Sequence, residues 1–100
     1  MDLKKLQEEI YQHKVERGFN VKDIEREFCF IYGELAEAYQ AYRKKLPDLG
    51  EELADVMIYL LGLAEILGID LSKEVEKKMI KNKKREYKKI NGVLKRTKEG

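Results

Sequence analysis

Two pairs of acids stand at helical spacing in this chain: Glu34 and Glu37 in GELAEAY, and Glu52 and Asp55 in GEELADV. Residues three apart on a helix share a side, one turn from each other. Fourteen residues lie between Glu37 and Glu52, enough to finish one helix, turn and return antiparallel. The spacing therefore predicts two acidic pairs facing one another across a groove. Carboxylates so placed repel strongly unless a cation cancels their charge. Mg²⁺ suits such a site because it takes oxygen ligands and keeps waters and substrate phosphates in its shell; Mn²⁺ favours the same donors. A solvated helix face explains either pair alone. Two pairs, each bordering an apolar stripe, favour a metal site.

Further along, Lys78, Asn82 and Arg85 follow one another at i, i+4 and i+7, beside the stripe of Val75 and Met79. Bases on one line can neutralise phosphate oxygens, Arg bidentately, although a lysine-rich exposed helix would look the same. Tyr59 comes one turn after Asp55 and is the aromatic best placed to stack on a base, with Phe19 a weaker candidate. His13 is the single histidine and reads as an ordinary helix residue. Cys29 is the single cysteine and reads as core. It gives no disulfide framework, which fits a cytoplasmic location. The charged N-terminal MDLKKLQEEI has no apolar h-region, so no secretory signal is expected.

The elements that must position these residues are helices. Charged residues make up 40% of the chain and there is one proline, a composition that favours helix. Helical periodicity predicts a first helix over residues 3–17, ended by Gly18, with Leu3, Leu6, Ile10 and Lys14–Val15 inward. A second, capped by Asn20 or Asp23, runs to about residue 44, with Ile24, Phe28, Ile31, Leu35, Ala38 and Tyr42 as its inner stripe. Residues 44–50, around Pro47, form a loop. The third helix covers residues 50–67 and stops at Gly68. Its apolar face is Leu53, Val56, Met57, Leu60, Ala64 and Leu67, with the acids on one edge. Asp70 or Ser72 caps a fourth helix that reaches residue 89, broken by Asn91-Gly92 and followed by a frayed basic tail over residues 91–100.

The expected fold is an all-α antiparallel bundle of about four helices. The central run 56–67 is apolar on nearly all sides, so its second covering surface is assigned to another subunit. It is too short to span a membrane, which takes about 20 residues. Net charge is +2, but residues 73–98 hold 12 bases and 3 acids, so this quarter attracts anions. The tail reads as a solvated extension rather than a nucleic-acid arm.

Four segments in order, GELAEA (33–38), EELADVMIYL (51–60), GIDL (68–71) and KMIKNKKR (78–85), resemble the MazG-like family of all-α nucleotide pyrophosphohydrolases. That family is similar to dimeric dUTPases and phosphoribosyl-ATP pyrophosphohydrolases. The resemblance spans about residues 20–90, which gives a family domain over residues 1–90. It implies a homodimer or homotetramer and Mg²⁺-dependent cleavage of a nucleoside triphosphate between the α and β phosphates, yielding monophosphate and pyrophosphate.

It also implies Glu34, Glu52 and Asp55 as metal ligands. Lys78, Asn82 and Arg85 would then meet the phosphates, with Lys78 and Arg85 neutralising charge during reaction. One position departs from the pattern. The family's first motif is Glu-x-x-Glu, whose second Glu is Glu34, and its first position holds Ile31. Two residues can supply the fourth carboxylate: Glu37, which is also placed to orient the attacking water, or Glu27, which projects within about 20° of Glu34 two turns earlier. A chain that lacks one ligand can also bind nucleotides without hydrolysing them. A helical protein that binds nucleic acid through its basic quarter is a third class.

Overall fold

The computed structural model describes residues 1–90 and 93–98, with side chains described for residues 1–85. Four helices form, α1 (Leu3–Arg17), α2 (Ile24–Arg43), α3 (Leu49–Ile66) and α4 (Leu71–Lys84), and the protein is an all-α helical bundle as the periodicity predicts. The chain divides into two compact units, residues 1–70 and 71–100. The first holds α1, α2 and α3; the second begins with α4.

Local chemistry sets the helix ends. Asp2 accepts a hydrogen bond from the Lys5 amide at 3.2 Å and Asp23 from the Arg26 amide at 3.1 Å, so both satisfy amide groups that a helix start leaves without partners. Gly18 and Gly68 close α1 and α3 with φ of 71° and 70°. Only glycine takes that left-handed conformation without strain.

In the first unit α1 and α2 each pack on α3. Gln7 donates to the Glu65 carboxylate at 3.2 Å and to the Ile69 carbonyl at 2.8 Å, and Lys4 pairs with Glu65 at 2.8 Å. Further along, Gly62 lets α1 approach closely: a Cβ there would sit 3.3 Å from Ile10 Cγ2 and 3.4 Å from Lys14 Cδ. Residue numbers thus rise on α1 as they fall on α3, which is antiparallel packing. The apolar core is small, consisting of Ala38 and Ala41 from α2 and Leu61, Leu63 and Ala64 from α3.

An ion pair occupies the place where a larger core would sit. Lys14 Nζ meets Glu27 Oε1 at 2.5 Å, and Glu27 is fully buried. Asn20 Nδ2 donates to the other Glu27 oxygen at 3.0 Å. The aliphatic stem of Lys14 packs on α3 while its ammonium sits 5.4 Å from the centre of the Tyr59 ring, an attractive cation–π arrangement. Val15, the other residue expected inward, is exposed.

The inner face of α2 also differs from the expected one. Glu27, Ile31, Glu34, Ala38 and Ala41 fall within an arc of about 80° at about 100° per residue, and all are buried or half-buried. Phe28, Leu35 and Tyr42, expected inward, are 46%, 52% and 66% exposed. The helix is turned about 60° from the orientation that its apolar stripe suggests, so its carboxylates face α3 and its aromatics face outward. On α3, Leu53, Met57, Leu60 and Leu67 are likewise exposed.

In the second unit α4 ends at Lys84 rather than residue 89. Strands β1 (Glu86–Ile90) and β2 (Val93–Lys98) pair antiparallel, with Ile90 opposite Val93 and Lys88 opposite Lys95. A hairpin thus replaces the last turn of the expected helix and much of the expected tail, whose residues 91–92 and 99–100 lie outside the described residues. Among the described residues no helix is long and apolar enough to cross a membrane.

The Lys14–Glu27 pair gives a direct stability test. Lys14→Met leaves a buried carboxylate without its cation and is expected to destabilise the fold by about 3–5 kcal/mol in urea denaturation. The double variant Lys14→Met/Glu27→Leu, which removes both charges, should recover most of that loss. A single variant within about 0.5 kcal/mol of wild type would contradict the burial argument.

Candidate metal centre

The inward turn of α2 delivers its acids to α3. One carboxylate oxygen from each of Glu34, Glu37 and Glu52 lies within 4.8 Å of the others. Two oxygens on opposite sides of one Mg²⁺ are about 4 Å apart, given metal–oxygen distances of about 2.1 Å, so the three are close to the span of a single ion. Glu34 and Glu52 are half-buried and Glu37 is exposed at the rim. Antiparallel packing explains the meeting. Glu34 interacts electrostatically with Asp55 as well as Glu52, and Glu37 lines one cleft with Glu52 and Asp48.

The electrostatics record mutual repulsion. Glu34 is held above the ordinary carboxylate value near 4.5, first by burial and then by the charges of Glu37 and Asp55. Glu52 is raised too, by burial, then by Glu37, Asp48 and Asp55. Within the first unit no lysine or arginine forms an ion pair with these carboxylates. In addition, Glu52 Oε2 and Asp48 Oδ1 are buried without a hydrogen-bond partner. Buried acceptors without donors are costly, and crowded anions without a base need a cation or a proton. The donor set, all carboxylate oxygen, fits a hard divalent ion.

The remaining expected residues divide between the rim of this cluster and other parts of the chain. Asp55 is exposed and stands outside the cluster of three, yet its charge acts on Glu34, Glu52 and Tyr59. Glu27 is not a further carboxylate for the site, because Lys14 and Asn20 occupy its two oxygens. Lys78, Asn82 and Arg85 all belong to the second unit; Lys78 and Asn82 are exposed on α4, and Arg85 just beyond it is half-buried. Cys29 is exposed rather than in the core.

Tyr59 is half-buried, with its ring 5.8 Å from that of Phe30 and tilted by 58°. Its phenol is raised by burial and then by the charges of Glu34, Glu27 and Asp55. It also lines a cavity of about 470 Å³ with Lys14, Phe19, Glu27 and Phe30. Sequence reasoning misses the Lys14–Glu27 pair and Asp48. For Asp48 the available signal is its place four residues before Glu52. For the pair, it is a lysine at the inward position of α1.

A family model for the MazG-like family matches residues 18–99. The chain belongs to the MazG-like family, whose members suggest a nucleotide pyrophosphohydrolase-like function. No curated protein and no solved structure matches it.

The raised carboxyls set a pH dependence with a definite sign. In metal-free protein the fold keeps protons on Glu34 and Glu52 above the pH at which the unfolded chain has released them, so stability falls as pH rises through that window. Thermal melting should show Tm dropping as pH rises above the ordinary carboxylate value near 4.5, with a flatter profile in Glu34→Gln. A Tm that rises across this range, or one that drops equally in Glu34→Gln, would contradict the assignment.

Proposed function

We propose that this protein is a Mg²⁺-dependent nucleoside triphosphate pyrophosphohydrolase, which cleaves its substrate between the α and β phosphates to give nucleoside monophosphate and pyrophosphate. The observation that carries the reading is the convergence of Glu34, Glu37 and Glu52 without a countercharge from the first unit, in a chain of the MazG-like family. Glu34, Glu37, Glu52 and Asp55 would hold Mg²⁺, or Mn²⁺ in its place. Bound there, the ion supplies charge neutralisation for the phosphates and lowers the pKa of a coordinated water.

The chain's own groups do the rest. Glu37, exposed at the rim, is assigned to orient the attacking water or take its proton. Glu34 and Glu52 are held by the packing of α2 on α3, so little reorganisation is needed when charge develops. Lys78 and Arg85 are assigned to phosphate neutralisation, and Asn82 to a hydrogen bond beside them. That assignment rests on charge, spacing and family resemblance. Tyr59 is assigned to the base, supported by the cavity it lines and by the carboxylate charges that act on it. No covalent nucleophile is required, because positioning and charge suffice for this chemistry.

Exposed apolar residues along α2 and α3 support assembly into a dimer, or a dimer of dimers. Phe28, Leu35, Tyr39 and Tyr42 on one helix and Leu53, Met57 and Leu60 on the other are all exposed, and exposed apolar stripes are what a partner subunit would cover. The absence of an acid at position 31, where Ile31 stands, favours one second reading: a nucleotide-binding member that hydrolyses slowly or not at all.

The deciding assay measures pyrophosphate release from a panel of dNTPs with Mg²⁺. Release that needs the metal and falls by on the order of 100-fold or more in Glu52→Gln is the expected result. Wild type without release, but with Mg²⁺-dependent binding of a non-hydrolysable nucleotide by calorimetry, would select the second reading. Light scattering should give at least twice the 11.8 kDa chain mass; a monomer would contradict the assembly.

A further inference from the structure

The cavity of about 470 Å³ in the first unit is lined by a cation with hydrogens to spare. A lysine ammonium carries three donors. Among the described residues that of Lys14 donates to one acceptor, Glu27 Oε1. The Tyr59 ring attracts its charge from 5.4 Å but accepts no conventional hydrogen bond. Only 10% of the Lys14 side chain is exposed, so water has little access to the remaining donors. Glu27 and Tyr59, the two groups that flank the ammonium, both line the cavity. The charged end of Lys14 therefore stands at its wall.

The other polar groups there are already engaged. Both amide hydrogens of Asn20 are taken, one by the Asp23 carbonyl at 2.9 Å and one by Glu27 Oε2 at 3.0 Å. Glu27 is fully buried, so a ligand cannot reach its carboxylate. Arg26 is exposed, with its guanidinium 5.6 Å from the centre of the Phe30 ring. The spare capacity of the charged and amide groups is therefore all donor. The apolar part of the wall is aromatic, from Phe19, Phe30 and Tyr59, with Phe19 and Phe30 both exposed. A flat ligand with an acceptor on its edge fits this lining.

We propose that this cavity selects nucleotides whose base carries a carbonyl on its pairing edge, guanine at O6 or thymine and uracil at O4, and that Lys14 is the residue that sets this specificity. This rests on the reading of the protein as a nucleotide pyrophosphohydrolase. Glu27 and Glu34 are two turns apart on α2, about 10 Å at 1.5 Å per residue, and Tyr59 comes one turn after Asp55 on α3. The cavity and the acids thus share the same two helices. Aromatic walls stack on any base, because every base has a π face, so they hold without choosing. The ammonium chooses: it donates to O6 or O4 and meets no acceptor in the amino group that adenine and cytosine carry at the corresponding position. Glu27 is a positioning residue that holds the ammonium at the wall.

The test is calorimetry on the full-length chain with Mg²⁺ and non-hydrolysable dNTP analogues. The dGTP and dTTP analogues should bind on the order of 10-fold more tightly than those of dATP and dCTP. The dITP analogue has a purine ring with O6 where adenine has its amine, and should group with dGTP; this comparison needs only the wild-type chain. In Lys14→Met/Glu27→Leu, which loses both buried charges together, the preference should shrink to about 2-fold or less while the dATP analogue still binds. A merely structural role for the pair would weaken all analogues alike and leave their ratio unchanged. Wild type without the carbonyl preference, dITP grouping with dATP, or an undiminished ratio in the double variant overturns the role given to Lys14. The underlying reading fails separately: if no analogue binds in the presence of Mg²⁺ and no dNTP releases pyrophosphate, both fall.

Discussion

The structure depends on a set of like charges held together by packing. Glu27 and Glu34 lie on the same face of α2 as Ala38 and Ala41, and those alanines are buried in the helix contact. Small side chains let α2 lie close to α3, and the closeness commits whatever else is on that face to the interior. The acids cannot turn outward without pulling the alanines away from α3. Apolar contact and electrostatic repulsion thus act on one rigid element, and the repulsion is relieved by a proton or by a cation.

Two answers to buried negative charge stand along a single face. At Glu27 the answer is internal: Lys14 reaches in from α1, Asn20 completes the shell, and the carboxylate is closed to solvent and ligands. Two turns later, at Glu34, no base of the first unit pairs with the carboxylate. Glu37 and Glu52 add charge of the same sign, and further oxygens at Asp48 and Glu52 stay without donors. The closed pair fixes α1 and α2 relative to each other and supports Tyr59. The open cluster keeps its capacity for a ligand. The paired carboxylate is a structural element of the fold, and the unpaired ones supported by the same packing are the candidates for chemistry.

Much of this is legible in the amino-acid order. The i, i+3 acids, the intervening length and the glycines at 18 and 68 suffice to place two helices antiparallel with carboxylates between them. The rotation of α2 is not legible. Phe28, Leu35 and Tyr42 repeat at helical spacing, and an apolar stripe does not say whether the same chain or another surface covers it. Lys14 and Glu27 are hidden for the opposite reason, since charged residues are rarely buried unless paired, and a pair 13 residues apart leaves no local pattern. Asp48 sits in a segment that reads as loop, where an acid draws no notice. The hairpin is concealed by lysines that suit a helix as well as a strand. Asn91-Gly92 reads as a stop, although the same dipeptide favours a two-residue hairpin turn.

Anomalous scattering from a crystal of the protein grown with Mn²⁺ bears most directly on the central claim. A peak bounded by the carboxylates of Glu34, Glu37 and Glu52 is the result expected of charges crowded without a countercharge. A fully ordered α2–α3 pair with no peak there, its acids separated or neutralised by a lysine or arginine of the chain, would show that the cluster is a solvated acidic face.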